Sequence, residues 1–187
     1  MILLDPDLDH HPAPKATSVR PRSASSPRKA PATHRTPSAR SLAIFLGRAQ
    51  ATVRLRGHVS VLLTTDKVIR RLNRQFRRID KSTDVLSFPA DALIRKQQKV
   101  AGDLAISVPT ARRQAAEQGH SLSIEINVLI LHGLLHLAGY DHESDTGQMA
   151  RRERRLRVQL GLPQGLIERA MRNQAGKKVD PTSGGPS

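Results

Sequence analysis

Two histidines, His132 and His136, stand four residues apart in a run otherwise dominated by Leu, Ile and Val, and a third, His142, follows Gly139. On a helix, residues at that spacing share a face, so the first two imidazoles can reach one ion. Gly139 can adopt the left-handed conformation that ends a helix, after which the chain can turn back and present His142 to the same point. Burying unpaired imidazoles on an apolar helix is costly, which argues for a shared ligand. Three imidazoles with an open fourth position are the usual catalytic zinc arrangement, whereas a structural zinc is closed by a fourth protein ligand. The expected metal ligands are therefore His132, His136 and His142, holding one Zn2+ per chain or another divalent metal, and the expected chemistry is hydrolysis. His10, His11, His34, His58 and His120 need no such account.

The spacing also resembles that of the metzincin proteases, which place Glu directly after the first histidine as general base. This chain has Gly133 there. A peptidase would lack its base, so the metal must serve other chemistry or recruit a base from elsewhere. Asp141 is a candidate for orienting a ligand imidazole. Cysteine is absent, which excludes disulfide partners and thiolate ligands.

Positioning these groups requires a folded core. Residues 122–138 are apolar nearly all round, which predicts a central, buried helix carrying the metal site. Upstream, 41–51 reads as a short helix, and 58–64 (HVSVLLT) as a strand. A helix is expected from an Asp66 cap to Arg74, with Val68, Ile69 and Leu72 inward. Further strands are expected at 85–88 and, with Leu104, Ile106 and Val108 on one face, at 103–108. Pro109 suits the first turn of a helix that stops at Gly119. Asp145 and Gln148 have the form of a capping box for a last helix over 146–160. Its Met149, Leu156 and Leu160 are expected inward, leaving Arg151, Arg152, Arg154, Arg155 and Arg157 outward. Strands and helices interleave, giving an α/β (α+β) class in a single compact domain with a small sheet.

The boundaries expected are an edge strand within 1–9, a disordered basic Pro/Ser-rich segment at 10–41, a metal-dependent hydrolase domain at 42–172 and a disordered tail at 173–187. Thirty-one Lys and Arg stand against sixteen Asp and Glu, a formal +15 with a pI near 11.5. Such an excess attracts polyanions, nucleic acid first among them. No apolar run reaches the roughly 18 residues of a membrane span, and the acidic start is unlike a secretory signal, so a cytoplasmic protein without a membrane partner is expected. Aromatic residues are only 2% of the chain, which does not indicate sequence-specific reading of single strands.

Residues 132–142, His-Gly-Leu-Leu-His-Leu-Ala-Gly-Tyr-Asp-His, match the H-G-x-L-H-L-x-G-Y-D-H motif of the YbeY family at every defined position. Residues 72–89, from Leu72 and Asn73 to Phe88 and Pro89, resemble that family's other signature, with Phe76 in place of its usual Tyr and Ser82 in place of Pro. Residues 102–107 are similar to its G-D-[ILV]-x-I-[SC] strand. The resemblance spans about 42–165. It implies a compact α/β sandwich with a small mixed sheet and the metal in a cleft. It further implies a metal-dependent, single-strand-specific endoribonuclease that trims ribosomal RNA near the small-subunit 3′ end and serves ribosome quality control. The ribosomal RNA and the small ribosomal subunit are the partners implied. In that reading His132, His136 and His142 are the ligands, and Arg77 is both the substrate-binding and the catalytic arginine. The nucleophile is a water or an RNA 2′-hydroxyl. A zinc hydrolase of peptides or small molecules, and a non-catalytic ribosome assembly factor, are the rival readings.

Overall fold

The computed structural model describes residues 1–10, 36–141 and 145–163. Most of the expected basic segment and the whole expected tail lie outside the described residues, as does His142. Strand β1 (Ile2–Leu4) leads into a 3-10 turn (Pro6–His10). After it come α1 (Ala39–Val53), β2 (His58–Thr64), α2 (Asp66–Arg77), β3 (Val85–Pro89), α3 (Ala92–Gln98), β4 (Val100–Ser107), α4 (Val108–Gln118), α5 (Leu122–Leu137) and α6 (Gln148–Leu160).

The strands form one sheet in the order β1-β2-β4-β3, with β1, β2 and β4 parallel and β3 antiparallel at the edge. This is the mixed sheet of an α+β domain. Alternation along β2 buries Val59, Val61 and Leu63. Together with Leu104 and Ile106 of β4, these join Leu42 and Phe45 of α1 and the apolar side chains of α5 in the main core. On the opposite face, Ile69 of α2 packs with Leu86 of β3 and Ala105 of β4. Helix α5 is buried nearly all round, as its composition predicts, with contacts to α1, α4, α6, β3 and β4. Among the described residues no single helix is long and apolar enough to cross a membrane.

Several local expectations are corrected. Thr65, not Asp66, caps α2 by accepting from the Val68 amide. Val108 opens α4 instead of closing β4, because Ser107 caps that helix with its side chain on the Thr110 amide. Helix α6 begins at Gln148 after Gly147 and not at Thr146; Asp145 still serves its first turn, accepting from the Gly147 and Met149 amides at 2.7 Å each. Helix α1 begins at Ala39, inside the segment expected to be disordered. Helix α3 has no counterpart among the elements expected from sequence. Arg157, expected outward, is 1% exposed, and Arg152 is half-buried.

Candidate metal centre

The last two turns of α5 carry His132 and His136. Their Nε2 atoms lie 3.1 Å apart, with the rings at 74° to one another. The helix ends as its glycine dictates. Gly139 has φ +92°, its amide donates to the His136 carbonyl at 2.9 Å, and Tyr140 N donates to the Leu135 carbonyl at 3.0 Å. The chain is thereby folded back over the end of α5 at the point from which His142 follows.

The other nitrogen of His132 is engaged from α6. Nδ1 lies 3.1 Å from Oε2 of Glu153, a carboxylate that is 2% exposed. Oε1 of Glu153 accepts from the Arg157 guanidinium, with Nε at 2.7 Å, and Arg157 Nη1 donates onward to the Pro163 carbonyl at 2.8 Å. Burial raises the Glu153 carboxyl, but the hydrogen bond from His132 and the Arg157 guanidinium outweigh it and hold the group below its ordinary value. An ionised Glu153 favours the His132 tautomer with its proton on Nδ1, which leaves Nε2 with a lone pair able to bind a metal. Asp141 is the sequence's candidate for orienting a ligand imidazole; Glu153, which sequence reasoning missed, is a carboxylate that contacts His132 Nδ1.

Gly133 faces the sheet. A Cβ there would lie 2.7 Å from Leu104 Cδ2 and 3.2 Å from Ser87 Oγ. The position at which a metzincin carries its base is filled by close helix–sheet packing, so no acid fits it.

Arg77 is the last residue of α2 and is exposed. The loop after it is braced back onto the helix. Asn73 Nδ2 donates to the Lys81 carbonyl at 2.7 Å, and Arg70 grips both oxygens of Asp80 at 2.7–2.8 Å. Asp84 then accepts from the Val85 amide at 2.8 Å and from Gln114 Nε2 at 3.0 Å, anchoring the start of β3 to α4. Helix α2 and helix α5 pack on opposite faces of the edge strand β3: Phe76 meets Phe88 edge-on on one side, while Ser87 touches the Gly133 carbonyl on the other. The structure thus brings His132 and His136 together, while Arg77 ends the helix on the other face of β3; His142 lies outside the described residues. Among the described residues no group of three His, Asp or Glu converges as a metal site.

The endoribonuclease YbeY family model matches residues 33–161, more than half of the chain. The chain belongs to the YbeY family. Endoribonuclease YbeY from Koribacter versatilis is 53% identical over 71% of this chain and 84% of its own length. Endoribonuclease YbeY from Solibacter usitatus is 50% identical over 76% of this chain and 90% of its own. The solution structure of TM1509 from Thermotoga maritima aligns with 79% of this chain and 95% of its own at 26% identity, with a TM-score of 0.47. YbeY proteins are metalloenzymes in general. The donors present here, two imidazole nitrogens 3.1 Å apart, fit such a group: the edge of a tetrahedron with metal–nitrogen bonds of about 2.05 Å is roughly 3.3 Å.

Proposed function

We propose that this YbeY-family endoribonuclease holds one divalent metal, zinc first, through His132, His136 and His142. With it the enzyme cleaves single-stranded ribosomal RNA in the cytoplasm, trimming the small-subunit 3′ end on or beside the small ribosomal subunit and contributing to ribosome quality control. The observation that carries this reading is the facing pair of Nε2 atoms on α5, one of them on a ring whose Nδ1 contacts the Glu153 carboxylate. When bound, the metal acts as a Lewis acid toward the phosphodiester and lowers the pKa of a water or RNA hydroxyl toward neutrality. Arg77, exposed at the end of a braced helix, is free to grip the scissile phosphate and steady its growing charge with a bidentate fork that lysine lacks. Glu153 and Arg157 keep the His132 ring in place throughout, and Gly133 lets α5 sit close enough to the sheet to hold both imidazoles in register.

The test is cleavage of a 3′-extended small-subunit RNA with and without chelator, beside a peptidase assay on the same preparation. His136→Ala should lose both bound metal and cleavage. Arg77→Ala should keep fold and metal content while losing on the order of a hundredfold or more in rate, as removal of one transition-state donor does. RNA cleavage indifferent to chelation and to His136→Ala sinks the metal-nuclease reading. Unchanged RNA processing in Arg77→Ala favours the assembly factor instead.

A further inference from the structure

Helix α2 presents cations along its outward side. Lys67, Arg71 and Arg74 follow at steps of four and three residues, so they line one face over roughly 10 Å of helix. All three are exposed, and among the described residues no side chain of the three makes a hydrogen bond or a close ion pair, although the Arg74 charge also acts on Asp80. They line an open groove of about 540 Å3 between α2 and the N-terminal turn, together with Arg70. Three acids, Asp5, Asp7 and Asp80, share that groove. Asp80 is gripped by both arms of Arg70. Asp5 accepts from the Thr64 hydroxyl and from the Asp7 amide but keeps its charge, so Asp5 and Asp7 face the three cations Lys67, Arg71 and Arg74, and the groove stays net positive by one. The row does not stop at the groove. Arg74 lies one turn before Arg77, and the exposed Arg78 and Lys81 carry positive charge on through the loop.

We infer that the outward face of α2 is a second, non-catalytic RNA contact: a phosphate track through Lys67, Arg71 and Arg74 that leads a single strand to Arg77. The inference rests on the reading of the chain as an RNA-cleaving enzyme and names where the rest of a long substrate lies. Charge is the whole recognition, because the face offers no stacking ring, so the track is indifferent to sequence. It lengthens the bound strand without touching the scissile bond. Long RNA therefore gains affinity from it, and a substrate too short to span α2 does not.

The experiment measures binding of a long 2′-O-methyl oligouridine, which lacks a free 2′-hydroxyl, by fluorescence anisotropy over a salt series. The full chain is compared with the triple variant K67Q/R71Q/R74Q. Each neutralised contact to a single strand removes about 0.7 from the slope of log affinity against log salt, so the triple variant should lose about 2. Between 50 and 200 mM salt the parent should then lose roughly fifteenfold more affinity than the variant. A control triple, R48Q/R151Q/R155Q, removes the same charge from exposed positions elsewhere and should shift the slope by less than half as much. Cleavage of a short substrate should be unchanged in the α2 triple. R71Q alone, expected to lower the slope by about 0.7, keeps the test readable should the triple fold poorly. An unchanged slope in the α2 triple, or an equal drop in the control, overturns the track. Failure of the nuclease reading shows separately: loss of chelator sensitivity or of the His136→Ala effect leaves the salt slopes as they are.

Discussion

Glu153 shows what a single residue does here that its neighbours in sequence conceal. It lies among five arginines, a context that reads as a solvated charged face, yet it is buried between His132 and Arg157. One signal for it was present. Met149, Glu153, Leu156 and Leu160 fall on one helical line at spacings of four, three and four, so an acid occupied a core position with an arginine four residues on. The histidines were legible because two imidazoles sharing a face of an apolar helix must be partnered to be buried there, and one ion can partner both. Glu153 was not, because its partner is 21 residues away and on another helix. Two substitutions separate its roles. Glu153→Gln preserves shape and should keep the protein folded while weakening metal affinity by about 10–100-fold, measured by competition with a chromophoric chelator. Glu153→Ala strands a buried guanidinium and should cost about 3–5 kcal/mol in denaturant unfolding. Equal metal affinity in the Gln variant would remove the orienting role.

At the scale of elements, the site depends on how closely α5 approaches the sheet. Gly133→Ala pushes a methyl against Leu104, which is itself buried, and should destabilise by about 1–3 kcal/mol. His132 is its immediate neighbour in sequence, so metal affinity should fall with it; a variant as stable as the parent would show that the helix has slack. A second junction joins α2 to α4. Asp66 accepts from the hydroxyls of Ser107 and Thr110 and from Arg113, whose Nη1 lies 3.1 Å away. Burial raises the Asp66 carboxyl, but these bonds outweigh it and leave the group below its ordinary 3.8. A depressed carboxyl contributes stability above its unfolded value and loses it as pH falls through the folded one. Unfolding free energy followed from pH 6 down to pH 2 should therefore drop less steeply in Asp66→Asn than in the parent. Residues 58–64 and 122–137 were legible because their apolar patterns are long and have one solution each. Helix α3 was not: Leu93 and Ile94 are exposed on it, so it buries no stripe that periodicity could reveal.

For the molecule as a whole, the class and the strand–helix alternation followed from pattern, while strand order and direction did not. Periodicity marks which residues face inward but says nothing of which strand lies beside which. Here the sheet places β4 between β2 and the antiparallel β3, although β3 precedes it in the chain. That order puts the helix of His132 and His136 against β3 and β4, the two strands that α2 also packs on, and makes α5 the common neighbour of α1, α4, α6, β3 and β4. An ion held on such a helix acts on the entire fold and not on a loop alone. Metal bound only by the native state stabilises by about 4 kcal/mol when free metal is a thousand times its dissociation constant. Calorimetry of the metal-loaded chain, repeated after chelation, should show the melting transition move down by roughly 10 °C or more while remaining a single cooperative step. The alternative is a site that sits loosely at the end of α5, with its ligands ordered only by the ion. In that case chelation would leave the main transition where it was, and the buried helix would not be what holds the imidazoles ready for metal.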